Sequence, residues 1–204
     1  MPDGFDRDFW EERYRGHGGR PGAPSPHLIE VAGGLAPGTA LEAGCGEGAE
    51  ALWLAGRGWD VTAVDIAQAA LDRARSSAEA AGELTGRITW RRADLTDWSP
   101  PEGRFDLISS HYVHPSGPMA ELVHRLAAGV VRGGTLLVVG HDPADEHSAA
   151  HGGPDVALAA DVAAGLLDPT QWDVQVAESR ERSAPGHHGH GSVLRDVVLV
   201  AQRR

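Results

Sequence analysis

A chain of 204 residues is long enough for one domain with a sizeable core, and 41% hydrophobic with 23% charged residues is the balance of a folded protein, not a disordered one. The formal net charge of −11 argues against nucleic acid as a partner, the single cysteine, Cys45, excludes an intramolecular disulfide, and there is no run of about 18 apolar residues to span a membrane. The N-terminus lacks an apolar leader core, so a cytoplasmic location is expected.

Residues 4–16 read as a short helix in which Phe5, Phe9, Trp10, Arg13 and Tyr14 cluster at helical spacing. Residues 16–26 are rich in glycine and proline and read as a loop, and residues 27–33 as a second short helix. Residues 39–43 form the expected first core strand, which runs into Gly44, Gly46 and Gly48 and then into a helix-like segment at 49–57. A second strand spans 61–65. The helix expected at 66–81 puts Ile66, Ala70, Leu71, Ala74 and Ala78 on one face, with Gly82 ending it. Residues 88–94 are a third strand and residues 105–110 a fourth, the latter apolar enough for burial on both faces. A helix at 119–128 and a β-branched central strand at 134–140 follow. The polar stretch 142–153 reads as irregular, 154–167 as helical with Pro154 near its start, and 172–178 and 193–202 as two final strands. Between those strands lies a connector at 180–191, rich in glycine, histidine and proline. Strands alternating with helices predict an α/β doubly wound, mostly parallel sheet with helices on both faces. The last two strands have no helix between them and should pair antiparallel.

In such sheets ligands sit outside the carboxyl ends of the strands. That rule selects residues 42–48, Asp65 and Ile66, Asp94 and Leu95, residues 110–114, and residues 140–142. Glycine stands where the chain needs positive φ or where a ligand touches backbone, and a strand-to-helix turn aims N–H groups at whatever lies above it. Gly44–Gly48 therefore reads as a cradle for a nucleoside-containing cofactor. An acid about 20 residues past the loop is placed to take ribose hydroxyls, and Asp65 lies 21 residues past Gly44. Alone, Asp65 or Asp94 would read as a helix cap or turn acid. Glu42 can accept from a cofactor's ammonium or from the loop's own N–H groups. Cys45, between glycines with no base specified beside it, reads as loop packing and not as a nucleophile.

The residues Leu41-Glu-Ala-Gly-Cys-Gly-Glu-Gly48, Val64-Asp65, Arg92-Ala-Asp94-Leu95, Phe105-Asp106-Leu-Ile-Ser-Ser110 and Arg132-Gly-Gly-Thr-Leu136 occur in an order that resembles the class I S-adenosylmethionine-dependent methyltransferases. Phe9-Trp10-Glu-Glu-Arg-Tyr14 with Pro24-Ser-Pro26 is similar to the small thiopurine- and tellurite-resistance-type branch. The resemblance implies a seven-stranded Rossmann-like sheet ordered 3-2-1-4-5-7-6 with the last strand antiparallel. It implies a domain at 35–204 preceded by a helical lid segment at 1–34. The implied cofactor is S-adenosyl-L-methionine. Glu42, Gly44, Cys45, Gly46, Gly48 and Ser110 would lie by its methionine and ribose part, Asp65 on the ribose diol, and Asp94 with Leu95 on the adenine amine. Ile66 would pack on the adenine face, and Arg13 or Tyr14 would sit near the carboxylate.

His111, His114 and His141 fall at the ends of the fourth and fifth strands, where a histidine can act as a general base near neutral pH. They are the candidate catalytic residues, set against the bland alternative of satisfied loop histidines. The run Gly186-His-His-Gly-His190 suggests adventitious metal capture and no designed metal site. The expected partner is a small-molecule acceptor, with no nucleic acid and no membrane. Two other readings stay open: a cofactor-binding protein without catalysis, and a nicotinamide dehydrogenase. The second is disfavoured by the glycine spacing and by the absence of any lysine for a Tyr-x-x-x-Lys pair.

Overall fold

The computed structural model describes residues 5–16, 21–143, 159–184 and 192–204. Seven strands form one sheet: β1 (Thr39–Ala43), β2 (Asp60–Asp65), β3 (Arg87–Arg92), β4 (Phe105–His111), β5 (Val130–His141), β6 (Trp172–Ala184) and β7 (Ser192–Arg203). Their order is β3-β2-β1-β4-β5-β7-β6, as the resemblance implies. The pairs from β3 to β5 are parallel, and β7 runs antiparallel to both β5 and β6. All parallel strands therefore end on one edge, where Asp65, His111 and His141 are the last residues of β2, β4 and β5.

Helices cover both faces. Alternate residues of the inner strands, among them Ala40, Val61, Leu107 and Leu137, pack under α2 (Pro26–Ala32), α3 (Ala49–Ala55) and Leu71 of α4 (Gln68–Ala81). The intervening residues Leu41, Val64, Ile108 and Leu136 pack under α5 (Met119–Ala128) and α6 (Ala160–Gly165). This parity is the period of two of a β-strand, and a sheet buried on both faces needs apolar residues at every inner position. The N-terminal helix α1 (Arg7–Gly16) lies outside these layers and has no buried residue. It rests on the start of α4, where the Ala69 N–H donates to Glu11 Oε2 at 3.3 Å.

The structure moves several element boundaries. β5 starts at Val130, because the register slip between Phe105 and Leu107 absorbs residues 131–134. β6 continues to Ala184 through residues expected in the connector. Ion pairs hold that extension, with Arg195 on Glu181 at 2.9 Å and Arg182 on Asp196 at 2.6 Å. α6 begins at Ala160. The first part of the helix expected from Pro154, and the run His187–His190, lie outside the described residues.

Asp196, fully buried in β7, ties distant parts of the chain together. Its Oδ2 takes Tyr112 Oη at 2.8 Å and Arg182 Nε at 2.6 Å, and His27 Nε2 of α2 lies 3.3 Å away. Tyr112 is held here with φ of 53°, a conformation that a tyrosine rarely adopts without support. Removing one partner of a buried charge pair costs about 3–5 kcal/mol. Asp196→Ala should accordingly lose that much stability in chemical denaturation. A loss under about 1 kcal/mol would show the cluster to be incidental.

Candidate functional site

A cavity of about 990 Å³ opens at the carboxyl edge of the sheet. Its floor is the Gly44–Gly48 turn, and its sides are Asp65 and Ile66, Asp94 to Thr96, and His111 to Ser116 with His141. α1 closes it with Trp10, Arg13 and Tyr14, helped by Phe5 and Phe9. Of the residues singled out in the sequence, Glu42 and Ser110 do not line the cavity. They are buried in the sheet at 1% and 2% exposure.

The turn is built differently from a phosphate cradle. The N–H groups of Gly44 and Cys45 both donate to the Val64 carbonyl, at 2.8 and 2.9 Å. The Gly46 N–H donates to Asp65 Oδ2 at 2.8 Å, and the Gly48 N–H to the Cys45 carbonyl at 2.8 Å. These four donors are consumed inside the protein, so the expected array of N–H groups aimed at the ligand is not formed by them. Gly44 and Gly46 have φ of 79° and 49°. A Cβ on Gly44 would fall 2.1 Å from Val113 Cγ2, and one on Gly46 would fall 2.9 Å from Tyr14 Oη. Gly46 is therefore glycine because the turn needs it and because Tyr14 rests on it.

Asp65 is the hub of this corner. Its Oδ1 accepts from the Ala67 N–H at 2.9 Å while Oδ2 holds Gly46, so the acid staples β2, the turn and the approach to α4. Burial pushes its pKa up, and the backbone N–H bonds pull it back only in part. Asp94 forms an Asx turn, its Oδ1 accepting from the Thr96 N–H at 2.8 Å, and it still lines the cavity. The turn-acid reading holds at both positions, and both residues also line the cavity. The Cys45 thiol is buried, and burial together with the charges of Asp65 and Glu42 pushes its pKa well up. That makes it a neutral packing group.

Beneath the wall lies a second buried acid. Glu42 Oε1 is 3.0 Å from His111 Nδ1, and Ser109 Oγ donates to Glu42 Oε2. Glu42 and Ser109 are register partners, and Ser109 and His111 share a strand face. Burial alone would lower the His111 pKa, but the charge and hydrogen bond of Glu42 raise it above the ordinary histidine value. His111 Nε2 is buried and has no hydrogen-bond partner, and the residue lines the cavity. His141 stacks on Tyr112 at 4.8 Å between ring centroids, and His114 on Phe5 at 4.9 Å.

Sequence inspection missed three residues that shape the site. Glu11 holds α1 onto α4, Glu50 Oε1 accepts from the Ser25 N–H at 3.0 Å, and Asp196 anchors Tyr112. Glu11 and Glu50 look like ordinary surface acids of helices, so no local pattern marks them.

The strand order, the glycine turn and the acids at the ends of β2 and β3 define the class I S-adenosylmethionine-dependent methyltransferase fold. Residues 40–134, a little under half of the chain, match the family described as a methyltransferase domain, which agrees with the class I resemblance read from the sequence. A 2-heptyl-1-hydroxyquinolin-4(1H)-one methyltransferase of Mycobacteroides abscessus is 34% identical over 136 residues, 62% of this chain and 59% of that protein. The ribosomal RNA small subunit methyltransferase C of Alcanivorax borkumensis is 39% identical over 72 residues, 35% of this chain and 21% of that protein. The chain thus spans under two thirds of either curated relative. Among solved structures, TehB from Haemophilus influenzae superposes with a TM-score of 0.70 at 17% identity, covering 97% of this chain and 67% of that one. A structure solved for the conversion of a disulfide bond into a thioacetal group during echinomycin biosynthesis superposes at 0.74 and 22% identity, covering 97% and 92%. Both show the fold.

Asp65→Ala removes the turn's staple and a carboxylate that lines the cavity, the acid expected at the ribose diol. Hydrogen bonds to charged groups are worth about 1.5–3 kcal/mol each, and 1.4 kcal/mol is tenfold in affinity. Calorimetry should show S-adenosylmethionine binding weakened at least about tenfold. Unchanged affinity in a folded variant would remove Asp65 from the site.

Proposed function

We propose that the protein transfers a methyl group from S-adenosylmethionine to a small-molecule acceptor. The observation that carries this reading is the polarity of the cavity. Among the described residues its charged lining comprises four acids, Glu47, Glu50, Asp65 and Asp94, and one arginine, Arg13. The turn beneath has spent four N–H donors internally. Such a lining suits a ligand that brings cationic and hydrogen-bond donor groups, as a sulfonium with an α-ammonium does. A dinucleotide pyrophosphate would meet acids where it needs N–H groups, which counts against the dehydrogenase alternative.

When bound, the cofactor supplies a methyl group already activated on sulfur. Asp65 and Asp94 are placed to hold the ribose and adenine, with Ile66 against the ring. Arg13 and Tyr14 of α1 close over the methionine end, so residues 1–34 act as a lid. The acceptor's heteroatom gives its electron pair to the methyl carbon, and the carbon–sulfur bond breaks with its pair going to sulfur. A proton on an O–H, N–H or S–H acceptor leaves to His111 Nε2. Of the three candidate histidines, His111 suits that role best, because Glu42 engages its Nδ1 and leaves Nε2, on a residue that lines the cavity, without a hydrogen-bond partner. A carboxylate that orients an imidazole in this way sets its tautomer. Ligand pockets hold about 300–1,000 Å³, so a cavity at the top of that range admits the cofactor and a small acceptor together. The relative named for a hydroxyquinolinone supports an acceptor of that size.

A general base must be neutral to take a proton. The His111 pKa lies above its ordinary value of about 6.5, so kcat should fall on the acid side with a limb centred above that pH. Loss of a general base costs about 10²–10⁴ in rate. His111→Gln should lower kcat by that factor and abolish the limb while S-adenosylhomocysteine affinity holds. An unchanged limb would exclude His111. S-adenosylmethionine that fails to bind the wild type at all would sink the whole reading.

A further inference from the structure

The cavity has two unlike halves. One is the glycine turn with its acids, which the reading above gives to the cofactor. The other is aromatic. Both tyrosines and two of the three phenylalanines of the chain line this one cavity. Phe5 lies near-parallel to His114, 4.9 Å between centroids and 22° between planes. Trp10 lies 5.9 Å from His114, His114 5.9 Å from His141, and His141 4.8 Å from Tyr112. Phe9, set edge-on to Trp10, stands 40% exposed at the rim. The rings come from separate parts of the chain, α1 and the ends of β4 and β5, yet form one continuous surface. Asp196 holds Tyr112 in its unusual backbone conformation at the far end.

We propose that this surface is the acceptor subsite and that it selects a planar aromatic ring carrying the nucleophilic oxygen, nitrogen or sulfur. The proposal rests on the methyltransferase reading for its chemistry, but the subsite is defined by the rings alone. A flat ring gains offset or edge-to-face contact with several aromatic neighbours, whereas a puckered saturated ring of the same size gains only area. Among the described residues its members are Phe5, Phe9, Trp10, His114, His141 and Tyr112, none of them a carboxylate that would favour an aliphatic amine. Rings that served only to dock α1 on the strand ends would lend equal support to every ligand under the helix, the cofactor included.

The test uses calorimetry on the full chain loaded with S-adenosylhomocysteine. It is titrated with 1-naphthol and thiophenol and, in parallel, with decahydro-1-naphthol and cyclohexanethiol. Each aromatic member should bind at least about fivefold more tightly than its saturated partner. The gap should close in Trp10→Leu and in Phe5→Leu, while the affinity for S-adenosylhomocysteine stays within about twofold of wild type. Equal affinity for the two members of each pair in the wild type would overturn the proposal. So would a parallel loss of all ligands in both variants, which marks a docking role. Failure of the subsite and failure of the methyltransferase reading give different records. Tight S-adenosylhomocysteine binding without ring preference refutes the subsite alone. Ring preference without S-adenosylhomocysteine binding refutes the cofactor and leaves the subsite standing.

Discussion

The ligand end of this sheet depends on the Asp65 carboxylate. Desolvating an ion costs several kcal/mol even after the protein relaxes around it. The cost is offset only where donors are fixed in place, and here two backbone N–H groups do it, from Gly46 and Ala67. Those donors belong to different elements, so one carboxylate sets the distance between β2, the glycine turn and the start of α4. The Val64 carbonyl adds to this by accepting from both Gly44 and Cys45. A turn with three residues at positive φ is thereby held from below. Its upper surface is left to a ligand that supplies its own donors.

Glu42 faces the same problem one strand away and meets it with different partners. No backbone N–H of the turn reaches it among the hydrogen bonds described, and its oxygens go to Ser109 and His111. Burial raises the Glu42 pKa and the neighbouring imidazole lowers it less, while the same carboxylate raises that of His111. The pair therefore holds a proton to higher pH than separate groups would. Asp65 thus staples backbone at the cavity floor, and Glu42 sets the protonation of a histidine. Their sequence contexts, each an acid at or near the end of an apolar strand, do not separate the two roles.

The strands were legible because a sheet buried on both faces needs long apolar, β-branched runs, and the glycine turn marks the first strand-to-helix reversal; their order came from the resemblance alone. Less legible was anything that depends on register. Glu42, Ser109 and His111 converge only because Glu42 lies opposite Ser109 and alternate residues share a face. Without that pairing, His111 and His141 look equivalent at neighbouring strand ends. Backbone direction was also hidden: glycines show that a turn is tight, but not whether its N–H groups point at the ligand or into the fold. The extension of β6 escaped notice because polar residues build it. Its stability comes from cross-strand charges such as Glu181 with Arg195, which composition alone reads as a connector.

The N-terminal segment shows how these features join. It is pinned at three points along its length: Glu11 to the Ala69 N–H, the Ser25 N–H to Glu50, and His27 to Asp196. Arg73 of α4 adds a bridge, reaching Glu47 in the glycine turn at 2.8 Å and the Arg15 carbonyl at 3.4 Å. Helix α1 buries no residue of its own, so these polar contacts, not a hydrophobic core, hold it over the cavity. Such a closure is weak by construction. Its contacts run to the cavity and to the elements beside it: Tyr14 over Gly46, Glu11 to the Ala69 N–H at the start of α4, and the Ser25 N–H to Glu50 in α3. Helix α1 and the glycine turn are thus coupled through Tyr14 and through Arg73, which reaches both Arg15 and Glu47, and not through a shared apolar core.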